Sequence, residues 1–536
     1  MTLARVTIAP RRSVALFALL AILMVIASYV VIVALAAACV YLPYLALTST
    51  TNLQVLILFL GGIAAAGAML WSLVPRREKF EAPGLLISRS GHPALFAELE
   101  DIAGSLDEPV PGEVYLIGQV NAFVSDRGGL LGFGSRRILA IGLPLLSLLT
   151  VSEFRGVLAH EFAHYYSGDT RMGPWVHRTQ SAMIRSFQNI GSLRDVGRIG
   201  ILQAMLQLVT LILKWNFLFF LRVINFVSRK KEFRADELAC LVASRESVLQ
   251  SLKKIHGGAM AWQPFWSTEV VPVLQLGYIA PFGDGFARFL AAPQIAEQVA
   301  RGIEKELAEG KTNPYDTHPP LRDRIAAIQK MAAESQDRRE EPAVSLLSDP
   351  ESAELQWIES VNPNLPKGGL KRVNWADVGS TVTIPAWTSA VAELAPVLGE
   401  NTVESLSQTV KDLAAIGSRI PNPKGMLLAP EQRKQRAKHL LTMALGLAML
   451  ERGWQLEAQP GNFFLYRGSE KVDVFQLMEE LTDGKIGQET WNGRCQELGI
   501  TGACLCSRPA EKPVETQPMP DGYSSEKASE TRKLMG

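Results

Sequence analysis

The chain has 536 residues, with 54 basic and 53 acidic side chains, a formal charge of +1 and 48% hydrophobic residues. So balanced a charge excludes wholesale nucleic-acid binding, which needs a basic surface. The run from Ser13 to Val74 contains no Asp, Glu, Lys or Arg, and this excludes a purely soluble protein.

That run divides near Pro43 and the polar stretch Thr48-Ser49-Thr50-Thr51-Asn52 into two apolar segments, at about 13–41 and 53–74. Each is long enough to cross a hydrocarbon core of ~30 Å at ~1.5 Å per residue. Arg5, Arg11 and Arg12 precede the first segment, Arg76, Arg77 and Lys79 follow the second, and the loop between them is uncharged. By the positive-inside rule both flanks are cytoplasmic, so residues 1–77 are expected to form a transmembrane hairpin with its tip outside. A cleaved signal peptide is disfavoured, because its apolar region runs to only about 7–15 residues. The five cysteines include no Cys-x-x-Cys pair, so neither a disulfide framework nor a zinc knuckle is expected.

Residues 78–333 read as mixed α/β. Helical apolar spacing covers Ala94 to Leu106, Val114-Tyr115-Leu116-Ile117 reads as a strand, and Arg137 to Ile141 reads as another after the Gly128–Gly134 turn. A strong helix then begins. Thr150-x-x-Glu153 is a capping box, Phe154, Val157, Leu158 and Phe162 recur at helical spacing, and Gly168 suits a C-terminal stop.

On this helix lies His160-Glu161-Phe162-Ala163-His164. Histidines at i and i+4 share one face, so both imidazoles can reach a single Zn²⁺. Glu161 lies one residue round, placed to take a proton from a metal-activated water. With seven histidines in the chain, a chance motif of this kind is expected in only about 0.5% of such sequences. A catalytic zinc usually keeps three protein ligands, and no further histidine follows His164 at the metzincin spacing. The best source of a third ligand is the helical run Lys231 to Ala239. There Glu232 and Asp236 stand at i and i+4, so that one can bind metal while the other supports it. A solvated charged face is the competing reading.

The order of motifs resembles the membrane metallopeptidase family that includes the heat-shock protease HtpX and the CAAX prenyl proteases. Over about 80–330 it runs Asn121-Ala122-Phe123, Gly142-Leu143, His160-Glu161-x-x-His164, Glu232-x-x-x-Asp236, then Thr317-His318-Pro319-Pro320 with Arg324-Ile325. The resemblance implies one zinc ion held by His160, His164 and Glu232, with Glu161 as general base and Asp236 as supporting carboxylate. It implies a less definite acidic role for Asp169. By the same resemblance, His318 either orients groups near the site or stabilises the oxyanion, against the alternative of a structural cap fixed by two prolines. The Asn121-Ala122-Phe123 strand is expected to line the cleft and to take an extended substrate as an added strand.

A second apolar stretch, Ile201 to Val227, lies between the two metal-binding helices and is interrupted by Lys214 and Arg222. One crossing would put Glu232 on the far side of the membrane from His160, and two crossings need ~40 residues. The preceding segment carries Arg185, Arg194, Asp195 and Arg198, and is not expected to supply a partner span. The stretch should therefore enter and leave on the cytoplasmic side, as a long helix against the membrane or the hairpin. HtpX-like relatives carry a second membrane hairpin in this interval, so this is a departure; a short re-entrant pair is the alternative.

Residues 334–350 have linker composition, 351–508 read as a separate unit, and 509–536 as a disordered tail. The separate unit holds a helix near Gln432 to Arg452 and a hairpin, Trp454–Ala458 with Phe463–Arg467. Its basic cluster, Arg433, Lys434, Arg436 and Lys438, reads as a solvated helix face. The expected fold is thus α+β: a mainly helical zincin-type metallopeptidase domain, an N-terminal transmembrane hairpin and a separate C-terminal α+β domain. The expected function is a zinc metalloendopeptidase at the cell membrane, with a cytoplasmic catalytic domain and contacts to protein substrates and lipids. An idle metal-stabilised adaptor is disfavoured by the intact Glu161. A narrow prenyl-protein protease is disfavoured by too few spans.

Overall fold

A computed structural model describes residues 12–506, apart from 51, 76–79, 128–135, 167–172, 197–199, 332–338, 363–367 and 423–427. Asp169, the Gly128–Gly134 turn and the 509–536 tail lie outside the described residues. The chain divides into two units: the first runs to Ala259 and resumes over Ala300–Ala353, and the second takes Met260–Val299 with everything from Glu354.

This partition differs from the expected one, in which 260–299 belonged wholly to the peptidase domain. The cause is aromatic packing between segments distant in sequence. Trp266 and Phe282 both lie edge-on to Trp357, at 5.7 Å between centroids, and Phe265 packs against Trp375. The buried Glu354 carboxylate accepts the N–H groups of Phe282 and Gly283 at 2.8 and 2.9 Å. A further difference lies in the expected linker. Its described part, from Arg339, is docked in the first unit, where Arg339 O and Glu341 O accept Ser152 N–H at 3.2 Å and Val151 N–H at 2.9 Å. Composition gives no warning of this, because the partners are orphan donors of a helix's first turn far upstream.

Four long helices of the first unit pack together: α1 (Arg12–Ser49), α2 (Leu53–Leu73), α6 (Gly173–Val196) and α7 (Gly200–Val242). Three of them, α1, α2 and α7, are long and apolar enough to cross a membrane. The first helix does not break at Pro43 as expected but runs on to Ser49. Proline there leaves the Cys39 carbonyl without its usual donor. Gly62 of α2 packs against that carbonyl, so closely that a Cβ at 62 would stand 2.0 Å from the oxygen. Small residues let helix backbones approach in this way. Gly62→Ala should therefore force α1 and α2 apart at a cost of about 1–3 kcal/mol. Thermal unfolding in detergent is expected to show a lowered midpoint, and an unchanged midpoint would contradict the contact.

Helix α6 is not among the described helices long and apolar enough to cross a membrane, yet it pairs with α7 and lies against α2. Its charge is used at the end of α2. Arg185 donates to Ser72 O at 2.9 and 3.2 Å, and Asn189 donates to Ser72 Oγ at 2.8 Å. Terminal carbonyls of a helix need such donors, so an arginine there does not expel the segment from the bundle. Leu202 lies against Gly61, Asn216 reaches Ser28 O at 3.5 Å, and Phe226 packs edge-on to Phe17. The seventh helix thus runs antiparallel along α1. It begins beside Gly61, about 12 Å below the start of α2 at 1.5 Å per residue. Its first residues therefore lie short of the end of the bundle at which α1 passes into α2.

The α/β part is a four-stranded sheet of β1 (Leu85–Ile87), β2 (Glu113–Ile117), β3 (Ala122–Arg127) and β4 (Arg136–Gly142), in the order β1-β2-β4-β3. Strands β2 and β4 are parallel, and their buried runs Val114–Ile117 and Ile138–Ile141 suit central positions covered on both faces. Strand β3 pairs antiparallel with β4, Phe123 opposite Ala140, and lies at one edge of the described sheet. Helices α3 (Pro93–Ser105), α4 (Leu143–Leu148) and α5 (Val151–Tyr166) complete this region. Gly142 is required where β4 meets α4. A Cβ there would lie 1.9 Å from Gln119 O, and its N–H donates to Asn121 O at 2.9 Å. Two of the sequence motifs, Asn121-Ala122-Phe123 and Gly142-Leu143, are therefore one feature in space.

In the second unit the helix Pro430–Glu451 is almost wholly buried over its last three turns. The hairpin forms as Gln455–Gln459 with Asn462–Arg467, joined by a third strand, Glu470–Val472. Gly461, at φ +74°, supplies the left-handed position in the turn. All five cysteines are free thiols.

Candidate metal centre

The capping box read from sequence sets the start of α5. Glu153 accepts Thr150 N–H at 2.8 Å, and Glu153 N–H donates to Thr150 Oγ1 at 3.3 Å. Three turns on, His160 and His164 project from one face with ring centroids 4.9 Å apart. Helix α7 packs against α5 and brings Glu232 between them. Glu232 Oε2 lies 3.5 Å from His160 Nε2, and Oε1 lies 3.5 Å from His164 Nε2. One ligand atom from each residue falls within 4.8 Å of the others.

Asp236, one turn further along α7, is fully buried. Its Oδ1 lies 3.0 Å from His160 Nδ1, and the Arg324 guanidinium holds both carboxylate oxygens at 2.6 and 2.9 Å. Arg324 Nη1 is also 3.6 Å from Glu232 Oε2. Glu161 is partly buried and accepts the N–H of Val124, on the outer edge of β3. Burial pushes its carboxyl up to about 7. Burial opposes a charge on His160, but the Asp236 and Glu232 carboxylates outweigh it and raise that imidazole's pKa. Desolvation and the neighbouring His160 lower the pKa of His164, which is half-buried.

These residues fit a divalent cation. Two buried carboxylates face a single guanidinium, leaving negative charge to be balanced. Glu232 Oε2 is buried without a hydrogen-bond partner among the described residues and lies 3.5 Å from His160 Nε2, and an orphaned carboxylate oxygen facing an imidazole nitrogen is what a metal would satisfy. The donor set of two imidazoles and a carboxylate is also that of open catalytic zinc sites.

His318 Nε2 lies 3.7 Å from Glu232 Oε1, its side chain is exposed, and Thr317 Oγ1 is 3.0 Å from its Nδ1. Pro320, two residues further on, stands at the N-cap of the helix Leu321–Gln329 that carries Arg324. Ala122 and Phe123 open β3, and Asn121 immediately precedes it. The geometry therefore gathers His160, Glu161, His164, Glu232, Asp236 and His318, and places the Asn121–Phe123 segment along the neighbouring edge strand. Sequence reasoning missed the part played by Arg324. Its partner is 88 residues away, and a lone arginine carries no spacing signal.

A helix bearing two histidines one turn apart, crossed by a carboxylate from a second helix, is the framework of a metallopeptidase. Residues 92–332 match the family model described as Peptidase family M48. The chain is 27% identical over 259 residues to a protein named Protease HtpX homolog from Ralstonia nicotianae, covering 46% of this chain and 76% of that one. It is 26% identical to the Ralstonia pickettii counterpart over 47% of this chain and 78% of the relative. Protease HtpX homolog 2 of Methanosarcina mazei is 26% identical over 55% of this chain and 92% of its own. No solved structure matches. Over residues 92–332 the chain thus resembles the HtpX-like members of the M48 metallopeptidase family.

Proposed function

We propose that the protein is a membrane-anchored, zinc-dependent endopeptidase of zincin type that hydrolyses protein substrates on the cytoplasmic side, with a separate C-terminal α+β domain. The observation that carries this reading is the convergence of His160, His164 and Glu232 beside a carboxylate, Glu161, that is not one of the converging atoms. Structural metal sites have no need of such a base. The basic residues flanking α1 and α2 in the sequence support a cytoplasmic site, and family analogy suggests a part in membrane-protein quality control.

His160, His164 and Glu232 would hold the zinc ion. When bound it supplies Lewis-acid chemistry, making water a nucleophile near neutral pH and polarising a carbonyl. The edge strand β3 offers backbone groups to an extended substrate, which gives tolerance of sequence. Glu161, held by Val124 N–H, takes the proton of the attacking water on its carboxylate and delivers it to the departing amine. Asp236, held by Arg324, fixes the ring of His160. His318, exposed beside Glu232, is placed to donate toward the substrate's carbonyl oxygen.

The test is metal analysis of the detergent-purified full chain together with degradation of an unfolded test protein. One zinc per chain, loss of cleavage on chelation and recovery with added zinc are expected. Cleavage that survives complete removal of metal would sink the proposal.

A further inference from the structure

Helix α7 does more than deliver Glu232. Asn225, Arg229, Glu232 and Asp236 follow one another at intervals of four, three and four residues, so they form a single stripe along one helix face. The whole stripe contacts the segment 313–324, in matching order. Asn225 Nδ2 donates to Tyr315 O at 2.6 Å, and Arg229 Nη1 donates to Asp316 O at 2.6 Å. Glu232 then meets His318, and Asp236 meets Arg324.

We infer that Asn225 and Arg229 are positioning residues, which hold the loop 313–316 against α7 and thereby fix His318 over the Glu232 carboxylate. The inference rests on the peptidase reading and assigns two residues to which that reading gives no role. Three loop carbonyls converge on one guanidinium nitrogen: besides Asp316 O, those of Asn313 and Pro314 lie 3.3 and 3.4 Å from Arg229 Nη1. Clustered carbonyls need a shared donor to stay together. Within the loop, Asn313 Oδ1 accepts Tyr315 N–H at 3.0 Å, so the turn is preformed and α7 anchors it as a piece. Asn225 is buried, and its amide has little freedom to point elsewhere.

His318 depends on that anchor because little else restrains it. Its side chain is 67% exposed and, among the described residues, its charged partner Glu232 is 3.7 Å away and its other ring nitrogen meets the adjacent Thr317. An imidazole so open to the cleft is accessible to substrate, but it keeps its place only as well as its backbone does. Freed from Arg229, the loop would let His318 leave Glu232 while the zinc ligands, all on α5 and α7, stay in place.

A double-mutant cycle in the full chain tests this, with kcat measured on a fluorescently labelled unfolded casein and zinc content measured alongside. Arg229→Ala is expected to lower kcat about tenfold or more with zinc retained. The same change made in His318→Ala is expected to lower it no further, since both act through one group. An unchanged kcat in Arg229→Ala, or an equal loss in both backgrounds, would overturn the inference. Hydrogen exchange of the 315–318 amides gives a readout independent of catalysis. Exchange should quicken in Arg229→Ala and in Asn225→Ser, less so in Arg229→Lys, and unchanged protection in all three would overturn the strap. A wild-type chain with protected amides that binds zinc yet cleaves nothing would instead overturn the peptidase reading. Asn225→Ser serves the same cycle if Arg229→Ala does not fold.

Discussion

Glu161→Gln is expected to keep one zinc per chain and to slow peptide hydrolysis by about 10²–10⁴-fold, the range for loss of a positioned general base. Glutamine matches glutamate in shape and its amide oxygen can still accept Val124 N–H, so the local structure should be preserved. The converging ligand atoms belong to His160, His164 and Glu232, so metal binding should be nearly unaffected. Only the ability to take a proton is lost. Metal analysis beside kcat/KM separates the two effects, and full activity in this variant would remove Glu161 from the mechanism. A pH dependence follows from the same carboxyl. Burial pushes it up to about 7, while a bound cation would pull it back down. A base works only when deprotonated, so activity should fall as the pH drops through that pKa, and this acid limb should be absent from the residual rate of Glu161→Gln.

Glu232→Ala should have the larger effect on the metal itself, with loss of both zinc and activity. Its carboxylate is nearly inaccessible to solvent and approaches both imidazoles, so water replaces it poorly. Asp236→Asn provides the graded comparison. It removes charge one step back from the ligands, and such changes typically cost about 10–100-fold in affinity or activity. Zinc titration of the two variants should therefore place Glu232→Ala well beyond Asp236→Asn. A Glu232→Ala chain that kept its zinc and full activity would contradict a single site shared by α5 and α7.

Much of the candidate site was legible because its chemistry is written in local spacing. His160 and His164 share a face by helix geometry alone, and the Thr150–Glu153 box that starts their helix needs only three residues. Glu232 and Asp236 could be read as a pair but not assigned in order, since which one meets the imidazoles depends on how α7 crosses α5. Arg324, Asn225 and Arg229 were not legible as part of the site. Each acts on a group between 84 and 90 residues away, with no periodicity linking the two. The packing of α6 was not legible for a related reason. Arg185 and Asn189 look too polar to join an apolar bundle until their acceptors, the last carbonyl and hydroxyl groups of α2, are seen.

The sequence by itself determined that the chain carries a long uncharged segment and a capped helix with two histidines one turn apart and a glutamate beside them, because charge content and helical periodicity act over a few residues. Tertiary structure alone decided the rest. It paired α6 with α7, gave 260–299 to the second unit, docked the supposed linker on the first turn of α5, and set Asp236 and Arg324 behind His160. Each of these choices was made by buried polar groups and aromatic faces finding partners far along the chain. A local pattern records that such a group exists, but not which distant group will satisfy it.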